Sequence, residues 1–481
     1  MNEWFLFSLI FASITTVVVV TNWLHKKTNI KSETIRKFIH VCVGLVVSIC
    51  PFIFKSNIQL ILLSLLFIGL NSITIKFNLF QSINSTSRKS LGTIFFPFSI
   101  LILSFFFWEK PISLILSVLV MTLADPLATI VGKNGLTTII PWRDKKSRRG
   151  SLAMFGATLL IIMIGSDLLS RIYNASFYIP FPVLLACSLF TALLATLAES
   201  ISFRGSDNLS VPIITFLSYE IFLINYTHET LTPLFFWIIL SSITFIYSWY
   251  IKSLSTSGAI SGYIIGIIIF GTGGWPWIIP LVFFFISSSF LSHLRHKEHA
   301  ARNILQILAN GGLGTLFAIT YFFYQFPPAI ILYLGAIGAA TADTWATEIG
   351  YYSKKKPKLI FSKNIVDRGV SGGVTILGYC ASMSGAFIIG ILGETILKMN
   401  DLLIPITIGG LAGSLTDSIL GRFIQAQFKC TSCNAETEDR YHCGVKTEMI
   451  FGSKYIGNDM VNFINTIIGA TVTYYLWMFN G

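Results

Sequence analysis

The sequence predicts an all-α polytopic membrane protein of about sixteen transmembrane helices, arranged as two parallel repeats of about eight. Three observations carry this. Apolar residues make up 53% of the chain and charged residues 12%, against about a quarter charged in soluble domains. Uninterrupted apolar runs of about twenty residues recur from end to end, the length that crosses a bilayer as a helix. The runs are continuous rather than alternating, which excludes a transmembrane β-barrel.

The first run, residues 4–22, has no small-residue cleavage site after it and reads as a first span rather than a signal peptide. Runs follow at 38–54, 58–75, 92–108 and 111–132, then at 151–169, 178–198 and 209–225. The second half opens at 232–251. It continues through 257–271, short enough to be tilted or a half-helix, then 276–292, 311–326 and 328–350, and closes with 371–392, 402–421 and 459–478. With both termini outside, nearly every Lys and Arg falls on the cytoplasmic side, the exceptions being Lys55, Lys110, Arg171 and Lys398. This positive-inside pattern accounts for the net charge of +12 without nucleic acid as a partner. The expected location is the bacterial cytoplasmic membrane, since no transit peptide is visible.

Two distant segments share a pattern. Ala124-Asp125-Pro126-Leu127-Ala128-Thr129-Ile130-Val131-Gly132 and Ala342-Asp343-Thr344-Trp345-Ala346-Thr347-Glu348-Ile349-Gly350 carry Ala, Asp, Ala, Thr and Gly at one spacing. An ionisable residue at the end of an apolar helix is costly and marks a functional site. Other landmarks recur in order. Ser90-Leu91-Gly92-Thr93 matches Asn310-Gly311-Gly312-Leu313-Gly314-Thr315. The Lys145–Ser151 segment (Lys145, Lys146, Ser147, Arg148, Arg149, Gly150, Ser151) matches Asp367-Arg368-Gly369-Val370-Ser371-Gly372-Gly373. Glu199 matches Asp417, and Asp207-Asn208 matches Asn458-Asp459. An even number of predicted spans separates the Asp motifs, so the repeat is parallel, with domains 1–230 and 231–481.

The unusual polar residues gather on one predicted membrane face. Long basic loops follow both Asp motifs, at 133–150 and 354–368. A basic loop beside a membrane-end carboxylate suggests a phosphate site with Mg²⁺, which takes one or two carboxylates plus substrate phosphates. The competing reading is positive-inside anchors or contacts with anionic lipid headgroups. Gly150-Ser151 and the Gly369–Gly373 stretch are each expected to open a helix whose free N–H groups hold an anion. No Walker A sequence occurs, so any nucleotide is bound outside the P-loop family. His40, one turn after Arg36, reads as a general base, a phosphate ligand or a satisfied interfacial residue. Cys430-x-x-Cys433 followed by His442-Cys443 suggests structural zinc, with either His442 or Cys443 left out because adjacent residues rarely serve one metal; the alternative is plain loop cysteines. Cys42, Cys50, Cys187 and Cys380 read as small apolar residues.

These motifs point to known families. The first half resembles the phytol kinase and dolichol kinase family of CTP-dependent polyprenol kinases. The matching residues are Arg36-Lys37-x-x-His40, Ser90-Leu91-Gly92-Thr93 with Phe96-Pro97, Asp125-Pro126 with Gly132, Arg149-Gly150-Ser151, and Glu199 through Arg204-Gly205-Ser206-Asp207-Asn208-Leu209-Ser210-Val211-Pro212. The second half is similar to the phytyl-phosphate kinase family. It matches through Ser257-Gly258-Ala259, Ser287-Ser288-Ser289, Arg302-Asn303 with Gln306, Ala309-Asn310-Gly311-Gly312, Ala342-Asp343-Thr344 with Glu348 and Gly350, Gly372-Gly373, Gly413-Ser414 with Asp417-Ser418 and Leu420-Gly421, the cysteine loop, and Asn458-Asp459-x-Val461-Asn462. It departs at Asp367-Arg368-Gly369-Val370-Ser371, where that family shows a Pro-Gly-Thr-Asn-like stretch.

The resemblance implies consecutive phosphoryl transfers. A prenol such as phytol, geranylgeraniol or farnesol becomes its monophosphate in the first half and the diphosphate in the second, with CTP as donor, at the cytoplasmic face. On that implication Asp125 and Asp343 bind Mg²⁺, and Glu199 and Asp207, with Asp417 and Asp459, complete the metal shell. Lys145, Lys146, Arg148 and Arg149 with Gly150 and Ser151, and Asn310, Arg368, Gly369 and Gly372 in the second half, contact the nucleotide. Two other classes use the same features. One is cytidylyl transfer forming a CDP-lipid. The other is a parallel-repeat transporter, which would put its polar residues at the membrane midplane rather than at one face.

Overall fold

The computed structural model describes residues 2–28, 30, 32–77, 91–133, 138–140, 146–174, 179–294, 301–438 and 440–480. Ser90 and Lys145 lie outside them. Among the described residues 13 helices are long and apolar enough to cross a membrane. One of these, Thr256–Leu294, is broken at Gly274, whose φ of 65° only glycine adopts freely. A shorter apolar helix spans Gly92–Phe107, and Asn458–Asn480 forms the last helix. The chain is thus an all-α polytopic membrane protein. Contacts divide it into two compact units, Met1–Leu231 and Thr232–Gly481.

Each unit is built round the helix that bears its Asp motif. Pro111–Gly132 is the most enclosed span of the first unit and Pro328–Gly350 of the second. In the first, Leu114, Leu116, Val118, Val120 and Met121 have no exposed surface. The surrounding helices turn apolar stripes outward, as lipid-facing helices must. Along Arg148–Ile172, Leu160, Ile164, Leu168 and Ile172 are exposed at one-turn intervals, while Met154, Thr158, Ile162 and Ser166 face inward.

In the second unit small residues let three helices close on one another. A Cβ on Gly409 would lie 2.1 Å from Thr473 Oγ1, one on Gly469 2.3 Å from Ala339 Cβ, and one on Gly413 2.3 Å from Asn465 Oδ1. Close backbone approach at small residues is the usual means of packing helices in a bilayer. Strands are short and confined to connections. Thr138–Ile140 pairs with Lys146–Ser147, and Lys358–Leu359 with Gly373–Val374. A three-stranded sheet and a hairpin build the loop that precedes the last helix.

The Asp-bearing helices differ in one respect. Pro111–Gly132 contains a π-helical turn at Val120–Ala124, directly before Asp125-Pro126. Pro126 has no N–H to return to the preceding turn. The second unit has Thr344 at that place, and Pro328–Gly350 runs as an uninterrupted α-helix.

The loops after the two Asp motifs end in one local design. Ser147 is the N-cap of Arg148–Ile172 and accepts the Gly150 amide at 3.2 Å. Thr375 is the N-cap of Ile376–Leu397 and accepts the Gly378 amide at 3.0 Å. Gly150 packs against Gly132, and Gly378 against Gly350, at distances that leave no room for a Cβ without adjustment. The structural counterpart of Gly150 is therefore Gly378. The Gly369–Gly373 stretch does not open a helix. Gly369 and Gly372 have φ of 92° and 78°, and Gly373 is in a strand. The helix starts only where the extended Thr375 supplies its cap.

Candidate functional site

In the first unit four helix ends meet. Asp125 lies two turns before the end of Pro111–Gly132, and Glu199 in the last turn of Phe181–Ile201. Asp207 starts the Asp207–Thr227 helix, and Lys146 precedes Arg148–Ile172. The segment Arg204-Gly205 turns the chain sharply enough to present Asp207, with φ of 51° and 87°. The Ser206 hydroxyl accepts the Phe203 amide to close that turn. Carboxylate oxygens of Asp125, Glu199 and Asp207 lie within 4.8 Å of one another. Lys146 Nζ is 2.5 Å from Glu199 and 3.3 Å from Asp207. Burial would lower the Lys146 ammonium, but the charges of Asp207, Glu199 and Asp125 outweigh it and hold it above the ordinary lysine range.

Lys37 adds a second cation at the rim. It pairs with Glu33 at 3.6 Å and lies within electrostatic range of Asp125. His40 is one turn further in, and its Nε2 contacts the Met121 carbonyl at 3.1 Å. A carbonyl only accepts, so Nε2 carries the proton in this contact. Arg148 and Arg149 are exposed at the start of their helix, beside half-buried Ser151. Gly150 is buried in the crossing with Gly132.

At the opposite end of the same unit Lys110 Nζ meets the buried Glu220 at 3.1 Å, and the Ser113 hydroxyl donates to the same carboxylate. Arg171 pairs with Asp167 at 2.9 Å. Two of the four cations that break the positive-inside pattern thus have acidic partners.

In the second unit Asp343 and Asp417 face each other across two helices. Ser414, one turn before Asp417, hydrogen-bonds Asp343. Asp417 Oδ2 is buried with no hydrogen-bond partner, as are both amide atoms of Asn465. Orphaned buried polar atoms of this kind mark the place of an ion, water or ligand. Glu438 acts electrostatically on both aspartates. Among the described residues Asp343, Asp417 and Asp459 do not form a metal-sized group like that of the first unit. Further along the helix Glu348 accepts the Ser292 hydroxyl at 2.8 Å, and Arg302 donates to Ser292 at 2.9 Å. Asn310 donates to the Gln306 carbonyl within its own helix. Arg368 donates to the Ser353 carbonyl at 2.6 Å and stacks on Tyr351.

The cysteine loop brings its four candidates together. Sulfur and ring-nitrogen atoms of Cys430, Cys433, His442 and Cys443 all lie within 4.8 Å of one another. Both members of the adjacent pair, His442 and Cys443, lie within this group. Cys443 adopts a φ of 51°, which bends the chain so that both side chains point inward. Hydrogen bonding from the Cys433 backbone, with further contributions from His442 and the Ser432 amide, holds the Cys430 thiol at about 6. Cys430 is buried, whereas Cys433 and Cys443 are exposed.

Lys146 bound to carboxylates and the approach of Glu438 to Asp343 were not predicted from sequence. Both involve residues brought from a loop, with no periodic signal to register them.

The family described as integral membrane protein DUF92 matches residues 239–470. An uncharacterised membrane protein of Methanocaldococcus jannaschii is 30% identical over 253 residues, covering 51% of this chain and 95% of its own. Protein PGR of Arabidopsis thaliana is 29% identical over 277 residues, 50% of this chain and 94% of its own. A phytol kinase of Synechocystis is 28% identical over 213 residues, 44% of this chain and 88% of its own. No solved structure matches the chain.

Proposed function

The chain belongs to the DUF92 family of integral membrane proteins, and from that premise we propose that it is a two-step membrane prenol kinase. The first unit phosphorylates an isoprenoid alcohol. The second phosphorylates the resulting monophosphate, giving a prenyl diphosphate, with CTP as donor in both steps. The observation that carries this reading is the gathering of Asp125, Glu199, Asp207 and Lys146 at one end of the first unit. The relative named phytol kinase supports an isoprenoid alcohol as acceptor.

Phosphoryl transfer asks a protein mainly for positioning and charge neutralisation. The first site offers the means for both. Three carboxylates gather round one ammonium, an excess of acidic oxygens suited to a divalent cation. The donor set is oxygen only, which suits Mg²⁺. In the second unit the orphaned Asp417 oxygen beside Asp343 fits the same ion. Held by these carboxylates, Mg²⁺ would supply positive charge to neutralise phosphate groups during transfer.

The residues of the chain do the rest. Lys146 orients Glu199 and Asp207 through its two ion pairs. Lys37, Arg148 and Arg149 stand at the rim, where a triphosphate arriving from water would meet them. His40 braces the turn that carries Asp125 and acts as a positioning residue. The prenyl chain would lie in the hydrocarbon region with its hydroxyl at the helix ends.

The test is purified protein with Mg²⁺, CTP and a panel of prenols, with lipid products resolved by mass. Monophosphate followed by diphosphate is expected, with label from γ- but not α-labelled CTP. Entry of α-label would make the protein a cytidylyltransferase. No lipid product at all, from folded protein, would overturn the kinase reading.

A further inference from the structure

The segment from Gln427 to Phe451 has almost no core of its own. Among its described residues only Phe428, Cys430 and Thr447 are buried. Its strands are two to four residues long. Segments that bury so little need a staple to hold one shape.

Two tight turns in this segment face each other. In the first, the Cys430 amide donates to the Ala435 carbonyl and the Asn434 amide to the Cys430 carbonyl, both at 2.9 Å. In the second, Cys443 and Gly444 take φ of 51° and 75° between the paired strands Tyr441–His442 and Val445–Lys446. Each turn presents two donors to a common centre. His442 Nδ1 is 3.4 Å from Cys433 Sγ and 3.3 Å from Cys443 Sγ. Cys433 and Cys443 are exposed, so apolar packing does not account for the convergence. Three sulfurs and one imidazole nitrogen make a soft tetrahedral donor set, the chemistry of structural zinc.

The same segment reaches the second unit's carboxylates. Glu438 lies between the two turns and accepts the Ser371 hydroxyl. It acts on both Asp343 and Asp417.

We propose that Cys430, Cys433, His442 and Cys443 hold one structural zinc ion, and that this clamp fixes the loop so that Glu438 stands beside Asp343 and Asp417. The zinc cluster is a positioning device. Its effect on the monophosphate step rests on the function proposed above, but its existence does not.

The test uses full-length protein purified in detergent without chelators. About one zinc per chain is expected. Exchange with cobalt(II) is expected to give the absorption of a tetrahedral thiolate site. Cys433→Ser should lose the metal, and Glu438→Gln should keep it. A zinc-selective chelator applied to the unmutated protein removes any dependence on how the variants fold. It should speed hydrogen exchange at Ser371 and Glu438 as well as within the cysteine turns. Where monophosphate phosphorylation is observed, chelation and Glu438→Gln should lower it by the same factor. Protein that carries no zinc and takes up no cobalt(II), or that contains a disulfide between these cysteines, overturns the site. Zinc-loaded protein in which chelation leaves exchange at Ser371 and Glu438 unchanged overturns the clamp. Absence of kinase activity with zinc and exchange as expected would remove the proposed function and leave the clamp standing.

Discussion

The Nε2 of His40 lies 3.1 Å from the carbonyl oxygen of Met121, one turn before Asp125. One turn beyond His40 on the same helix, Gly44 sits so close to Thr122 that a Cβ would be 2.0 Å from its Oγ1. The Ser32–Ile53 helix therefore grips the π turn at two points. The second unit has neither the proline nor the π turn. His40 thus has a structural role: it serves a turn that the Pro328–Gly350 helix of the second unit lacks.

His40→Ala should leave the Met121 carbonyl short of a donor, at a cost of about 1–3 kcal/mol for a buried polar group. It should lower prenol phosphorylation by up to about a hundredfold through misplacement of Asp125. His40→Gln, whose side-chain amide still donates, should recover most of both. Steady-state kinetics and thermal unfolding of the two variants decide the matter. Loss in His40→Gln as deep as in His40→Ala, with stability restored, would return His40 to the role of general base, worth about a hundredfold to ten-thousandfold.

Gly44→Ala should behave as an overpacking change. The new methyl meets Thr122 Oγ1 at 2.0 Å and Cγ2 at 2.7 Å. Such insertions cost about 1–3 kcal/mol. Prenol phosphorylation should fall while monophosphate phosphorylation stays. Gly69→Ala is the control, since nothing lies within 4 Å of its added Cβ, and it should be neutral or slightly stabilising. Equal unfolding temperatures for the two variants would contradict the tight contact.

Much of this was legible in the sequence, and the exceptions share a cause. Asp125, Glu199 and Asp207 were readable because a carboxylate at the end of an apolar helix has no cheap alternative purpose. The helices were readable from apolar runs alone. Lys146 looked like a phosphate contact because a basic loop advertises charge but not its partner, which here is Glu199. The π turn left no trace beyond Pro126. Gly369 and Gly372 looked like a helix start because glycine marks turns and helix ends alike. Only the extended Thr375 distinguishes the two. His442 and Cys443 seemed too close in sequence to share a centre, until the φ of Cys443 is known.

Lys146→Met should be severe. It leaves Glu199 and Asp207 without their ion-pair partner, beside Asp125. Breaking a buried pair by removing one partner costs about 3–5 kcal/mol. Lys146→Arg keeps the charge and should lose much less. The pH dependence has a definite sign. The folded lysine is held above its ordinary range. Its contribution is therefore complete below the unfolded value and is lost only as pH rises through the higher folded one. Unfolding temperature should show no Lys146-dependent fall from neutral pH up to the ordinary lysine range. A fall in that window that disappears in Lys146→Arg would refute the pairing.

The two aspartates should separate the two activities. Asp125 keeps company with Glu199, Asp207 and Lys146 in its own unit, and Asp343 with Ser414 and Asp417 in the other. Asp125→Asn should abolish phosphorylation of the alcohol and leave that of the monophosphate. Asp343→Asn should let monophosphate accumulate. Neither loss should come with a loss of stability. Each substitution replaces a desolvated carboxyl, crowded by other acidic groups, with a neutral amide, and both desolvation and acidic crowding oppose folding. Unfolding temperature without Mg²⁺ should therefore hold or rise while activity disappears, the pattern of a site whose geometry serves function at some expense to stability. Equal loss of both activities in either folded variant would mean a single shared site. A marked fall in unfolding temperature would mean that the carboxylates support the fold rather than the chemistry.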